Sequence, residues 1–368
     1  MAEKEIKKVS FPHMGNYFVG FRPIAELIAD QVIVPPPITK KTLEIGAKHS
    51  PESACIPFKY NLGNYIEALE LGANVLVQAG GGCRFGYYGE VQKEILNKLG
   101  YKFDFIKLNN NYFAAITEIR KINPKISYAK ILKTVFLSYF RIRAIDETED
   151  LVRKNIGFQK NKGEFEKAYK SFLSGLGETK NIREVRACKN KYMQILKKIE
   201  TEKPENPIRV GVIGELYVLM EPFSNFYVEK ELAQKGIEVH RFVTVSSILH
   251  DVFSFESHLR NFQKDAKPYL KYHIGAHGTE SVARAQKLIK KGFDGIIHIK
   301  PFGCMPEVNA MSVLHNISKD YKVPIIYFSF DSQTSEAGIK TRIEAFHDML
   351  LAKRKANKLV NQNAYAAK

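Results

Sequence analysis

No apolar run in the chain comes near the roughly 20 residues that a membrane-crossing helix needs, and "MAEKEIKKVSF" at the start lacks the apolar stretch of a secretory signal. Those absences set the expectation of a cytoplasmic protein with no membrane partner. Cysteine is scarce: Cys55, Cys83, Cys188 and Cys304 lie far apart and form no CxxC pair. A chain of 368 residues can bury a core without covalent staples, so structural disulfides are not expected in a reducing compartment. There is no GxxxxGK[ST] loop either, which assigns any ATP hydrolysis to a partner. Zinc-finger spacing and an RNA-recognition aromatic signature are also missing.

What is present fits a globular protein, with a hydrophobic share of 45% and a charged share of 26%. Length favours two domains over one core. The formal charge of +17 suits polyanions, acidic protein partners or phosphorylated ligands. Lysines are densest over 120–203, a helical-looking stretch, where a solvated helix face explains them better than nucleic acid does. A basic nucleic-acid-binding protein with buried thiols remains a rival reading, and it predicts colourless preparations.

Hydrophobic patterning divides the chain in three. Residues 1–109 read as an α/β unit, with strands at "KKVSF", "VIVPPP", "ANVLVQA" and "YKFDFIKL". Helices are expected over "FRPIAELIADQ", over "TKKTLEIGAKH" capped by Thr39, over "FKYNLGNYIEALELG" with Pro57 in its first turn, and over "EVQKEILNKLG". Residues 110–206 read as a helical connector, in which the acidic "AIDETEDL" opens a long helix and "EKPENP" is a linker. Residues 207–368 read as a second α/β unit, with strands "IRVGVIG", "IEVHRFVTV", "FDGIIHIK" and "VPIIYFSFD" and a long final helix. Strands alternating with helices imply parallel sheets covered on both faces.

Two segments share a plan. "LGANVLVQAGGGCRFGYYGEVQ" and "KGFDGIIHIKPFGCMPEVNA" each run from a glycine helix end through an apolar strand into a glycine-cysteine loop and then a helix. The units therefore read as duplicated copies, each delivering a cysteine from the C-terminal end of a strand, where open α/β sheets bind ligands. Cys55, Cys83 and Cys304 all sit in loops that precede helices, a setting that favours thiolate. Cys188 lies within a helical pattern and reads as a structural or exposed thiol. Three thiolates without close-spaced partners suit an iron-sulfur cluster with one open iron better than a closed zinc site.

Together, "FPHMGNYF", "PPPITKKTLEIGAKHSPESACIPFKYNLGNY", "VQAGGGCRFGYYGE", "KPFGCMPE" and "DSQTSEAGIKTRIEAF" resemble the 2-hydroxyacyl-CoA dehydratase and benzoyl-CoA reductase superfamily. More narrowly, they resemble its branch of activase-related (CoA protein activase) proteins. The resemblance covers both α/β units and is weakest in the helical middle. It implies two flavodoxin-like α/β domains with one 4Fe-4S cluster between them, held by three cysteines, here Cys55, Cys83 and Cys304. It also implies an ASKHA-type ATPase as electron donor, a related dehydratase-like subunit or a second copy as dimer partner, and a CoA thioester as substrate of a radical lyase or reductase. The rival within this class is a non-catalytic electron-transfer or scaffold subunit, separated from the enzyme by whether substrate changes the cluster spectrum.

Other side chains carry weaker expectations. Gly81, Gly82 and Arg84 are placed to surround a cluster with N–H groups or simply to make a tight turn. Glu215, at a strand end facing the cleft, reads either as an acid/base group or as a helix cap. His13 is expected in the cleft and His298 packed on its strand. His273 and His277 are four apart, but Gly275 and Gly278 argue against a shared helix face and against a metal site. Thr334 or Ser335, between Asp331 and Glu336, is expected to cap the last helix.

Overall fold

The computed structural model describes residues 6–79, 84–108, 112–253 and 257–366. Its first sheet consists of β1 (Lys8–Ser10), β2 (Gln31–Val32), β3 (Val75–Ala79) and β4 (Asp104–Leu108), in the order β2-β1-β3-β4. The second consists of β5 (Ile208–Gly214), β6 (Ile237–Arg241), β7 (Gly295–Pro301) and β8 (Ile325–Phe330), in the order β6-β5-β7-β8. Every pairing within them is parallel, and both sheets have the same winding. These are the two flavodoxin-like α/β units expected from the alternation of strands and helices, and the shared order supports duplication.

Helices cover both sheets. The first unit carries α1 (Phe18–Ala25), α2 (Lys40–His49), α3 (Ile56–Glu70), α4 (Tyr88–Lys98) and α5 (Tyr112–Ile122). The connector contains α6 (Tyr128–Asn155), α7 (Glu164–Gly177) and α8 (Ile182–Lys197). The second unit carries α9 (Leu216–Met220), α10 (Val228–Gln234), α11 (Val245–Phe253), α12 (Ser257–Ala266), α13 (Gly278–Lys290), α14 (Met305–Tyr321) and α15 (Glu336–Ala366). Residues of α5 pack on the first sheet, with Ile119 buried among Val9, Val75 and Ile106.

Local chemistry sets these elements. Thr39 caps α2 through a reciprocal box with Thr42. Pro57 starts α3 without wasting an amide that a helix would otherwise use. Helices α2 and α3 cross at glycines: a Cβ on Gly63 would lie 1.9 Å from the Thr42 carbonyl oxygen, and one on Gly46 1.7 Å from that of Lys59. No other residue allows that approach, which fixes the turn carrying Cys55. The three prolines after Val34 limit β2 to two residues, and α1 ends at Ala25 rather than reaching Gln31.

The acidic stretch "AIDETEDL" does not open a helix. It lies in the middle of α6, which starts at Tyr128 behind the capping Ser127. Two of its carboxylates, Asp146 and Glu149, face inward and join the two units. Asp146 accepts from the Tyr17 hydroxyl of the first unit and from the Ser246 amide of the second, the latter at 2.8 Å. Glu149 accepts from Arg241 at 2.9 Å, Tyr169 at 2.7 Å and Asn16 at 3.2 Å. Between these polar ties, Ile142 and Ile145 are buried in one core with Tyr17, Val19 and Tyr60 on one side and Val210, Val212 and Val239 on the other. Buried apolar area is the main stabilising contribution, and here both units share it through α6.

Candidate functional site

Cys55 and Cys304 occupy equivalent places on helices. Cys55 is the N-cap of α3 with Pro57 in the first turn, and Cys304 is the N-cap of α14 with Pro306 in the first turn. The sequence Cys-x-Pro thus ends a loop in extended backbone and starts a helix in each unit. The two thiols are electrostatic neighbours. Burial pushes the Cys304 thiol up to about 12; the Glu307 backbone N–H opposes this, while the charges of Glu215, Glu307 and Cys55 add to it. Opposite Cys55, the Tyr88 hydroxyl at the start of α4 lies 3.0 Å from Sγ, and the Tyr88 ring meets Phe58 edge-on at 4.8 Å.

Cys83, Gly81 and Gly82 lie outside the described residues. Arg84 begins the 3-10 turn Arg84–Tyr87 that leads into α4. That turn comes after β3 in the chain as the Cys304 loop comes after β7. Among the described residues, no three His, Cys, Asp or Glu side chains are grouped to hold a metal ion. Cys55 and Cys304 have the donor chemistry that suits a soft metal, and Cys55 has a polar neighbour, Tyr88, of the kind that orients a ligand.

Glu215 caps α9, accepting from the amides of Tyr217 and Val218 at 3.0 Å each. Burial raises its carboxyl, against those two amides and the His277 charge and together with Glu307. His13 does stand between the units: its Nδ1 is 2.8 Å from Glu221 Oε2, which also accepts from the Gly15 amide at 2.7 Å. The His13 amide donates to Asn64 on α3. Glu221 was not singled out in the sequence, where only the Glu-Pro pair at a helix start marks it.

His298 is fully buried, as expected of a packed strand residue, and its Nε2 meets Glu307 Oε2 at 2.6 Å. Ser281 of α13 donates to the same oxygen at 3.0 Å. His298 Nδ1 and Glu307 Oε1 are buried without a hydrogen-bond partner among the described residues. Lys300, near the end of β7, is also buried; burial lowers its ammonium, against the charges of Cys304 and Glu307. His277 is the N-cap of α13 and bonds Glu280, whereas exposed His273 only accepts the Gly275 amide at 3.1 Å.

Cys188 lies within α8 near Gly175 of α7 and is half-buried, which raises its thiol. It belongs to the connector. Thr334 closes a turn with Asp331, and Ser335 stands before α15 with the Gly338 amide 3.5 Å from its Oγ. An open depression between α7 and α8, lined by Lys167, Lys191, Tyr192 and Glu200, lies on elements that carry neither Cys55 nor Cys304.

No protein-family model matches the chain, and no curated protein matches it either. Among the described residues, no helix is long and apolar enough to cross a membrane.

Proposed function

We propose that the chain is a cytoplasmic iron-sulfur protein of the 2-hydroxyacyl-CoA dehydratase type, binding one 4Fe-4S cluster through Cys55, Cys83 and Cys304. The observation that carries this reading is the pairing of Cys55 and Cys304 as N-caps of two Cys-x-Pro helices whose thiols feel each other's charge. Burial makes the Cys304 thiol resist ionisation, and a bound metal would supply the compensating charge. Cys83 follows the strand that corresponds to the one preceding Cys304 and completes the ligand set in this reading.

When bound, such a cluster supplies low-potential electrons and an open iron that acts as a Lewis acid. The chain's own residues do the rest. Tyr88 positions the Cys55 sulfur, Phe58 positions Tyr88, and the Glu307 amide in the first turn of α14 works against burial to favour negative charge at Cys304. The ties made by α6 hold the two ligand-bearing units together. An ASKHA-type ATPase is the proposed electron donor, a related subunit or second copy the dimer partner, and a CoA-thioester-like compound the substrate, whose phosphates the net charge of +17 attracts.

Anaerobic purification with iron and sulfide analysis tests the reading. The wild-type protein should hold about four irons per chain, lost from Cys83→Ala and Cys304→Ala and kept in Cys188→Ala. Colourless, iron-free wild-type protein would overturn it, and retained iron in Cys83→Ala would remove Cys83 from the ligand set.

A further inference from the structure

The shared winding of the two sheets makes α3 and α13 counterparts, because each is the helix that leads into the third strand, β3 or β7. The N-cap of α3 is Cys55, and the N-cap of α13 is His277. A histidine thus stands in the second unit where the first presents a proposed ligand. Its surroundings are built. Nδ1 is 2.8 Å from Glu280 Oε2, and the other oxygen of Glu280 accepts from Arg284 Nε at 2.6 Å. The Arg284 guanidinium in turn lies over the Phe262 ring, 5.1 Å from its centre.

With Nδ1 turned to its own helix, Nε2 points away from Glu280 and has no hydrogen-bond partner among the described residues, and the His277 side chain is 22% exposed. The first turn of α13 lies against that of α14: a Cβ on Gly278 would be 2.5 Å from the Pro306 carbonyl oxygen. Gly278 follows His277 and Pro306 lies two residues after Cys304, so this contact brings the two helix starts together, and the charges of Glu215 and Glu307 act on both side chains. No hydrogen bond joins His277 to Cys55 or Cys304 among the described residues.

We infer that His277 is the side chain that exchanges a proton with the substrate in this cleft, its ring fixed by Glu280 and Arg284. The substrate class, an acyl thioester with an oxygen leaving group, rests on the reading under Proposed function. Once the one-electron donor has reduced the thioester to its radical anion, the adjacent carbon–oxygen bond breaks and its electron pair leaves with the oxygen. That oxygen takes the proton from His277 Nε2 and departs as water, and solvent reprotonates the neutral imidazole. The radical left on the acyl chain then loses a neighbouring C–H proton to solvent and returns its electron to the donor, so the net change is loss of water. The environment favours the donor form. Burial alone would lower the imidazole, but the bond to Glu280 and the charges of Glu280, Glu215 and Glu307 raise it. Arg284 opposes them through Glu280, and Lys300 and Cys304 are the other ionisable groups on the β7–α14 turn.

Histidine C2–H exchange, read by mass spectrometry on the full chain, tests this without needing turnover. In wild type, His277 should titrate above 6.5, and Glu280→Gln should lower it. Adding 2-hydroxybutyryl-CoA should slow exchange at His277 and not at His273, with free CoA as the control. His277→Gln should keep its iron. An exchange rate at His277 that ignores the thioester overturns the inference, as does iron loss in His277→Gln or an unchanged titration in Glu280→Gln. Iron-free wild-type protein would sink the cluster reading alone, because the exchange measurement requires no metal.

Discussion

The Tyr88 hydroxyl lies 3.0 Å from the Cys55 sulfur, tying the start of α4 to the N-cap of α3. Tyr88→Phe keeps the ring packed on Phe58 and removes only that polar contact. Groups that orient a metal ligand typically contribute about tenfold or more to metal affinity. Iron release to a chelator should therefore be faster by about tenfold in Tyr88→Phe. Equal release rates would show that the contact does not support the sulfur as a ligand.

The crossing of α2 and α3 depends on the absence of side chains. Gly63→Ala places a methyl group against the backbone at Thr42, so the helices must separate. Overpacking of this kind costs about 1–3 kcal/mol. Urea unfolding should give a lower midpoint, and iron content should fall because Cys55 moves with α3. A stable variant with full iron would mean that the crossing adjusts elsewhere.

Arg241 is buried between Glu149 of α6 and Glu229 of α10, at 2.9 and 3.4 Å. Arg241→Met leaves both carboxylates without that partner in the interior, at a cost of about 3–5 kcal/mol. Adding Glu149→Gln to Arg241→Met should recover part of the loss, since one stranded charge is then gone. A double-mutant cycle in urea decides it, and strict additivity would contradict the coupling.

The His277–Glu280 pair sets a pH window for stability. Glu280 is pulled from 4.5 to about 2; burial works against this, and His277 and Arg284 outweigh it. A lowered carboxylate contributes stability that is present above about 4.5 and lost as pH falls toward about 2. His277 is raised from 6.5, so its contribution is full below about 6.5 and lost as pH rises through its folded value. The stability gap between wild type and Glu280→Gln should thus be widest between about pH 4.5 and 6.5 and narrow on either side. Urea midpoints across pH measure it, and a gap independent of pH would rule out ionic coupling.

Strands, sheet class and most helices were legible in the sequence because they depend on local periodicity and on caps such as Thr39 and Pro57. The acidic run in α6 was misread as a helix start for a physical reason. In one dimension, carboxylates fit a helix N-terminus, but Asp146 and Glu149 answer to Tyr17, Ser246 and Arg241, which come from distant segments. Gly275 and Gly278 argued against one helix face carrying both His273 and His277, and the structure agrees: His273 lies in a loop and His277 is the cap of α13, which Gly278 opens. The His-x-x-Glu spacing was the available signal. Cys55 and Cys304 were visible from their loops, whereas the effect of the Cys55 charge on Cys304 depends on how α6 joins the units.

Because α6 contributes Ile142 and Ile145 to a core built from helices of the first unit and strands of the second, the units have no greasy seam along which to swing. Opening the gap like a clamshell would wet those isoleucines and break the ties of Asp146 and Glu149 together. Any change of access to Cys55 and Cys304 is thus left to the loops and side chains around them, while the frame that carries both stays set.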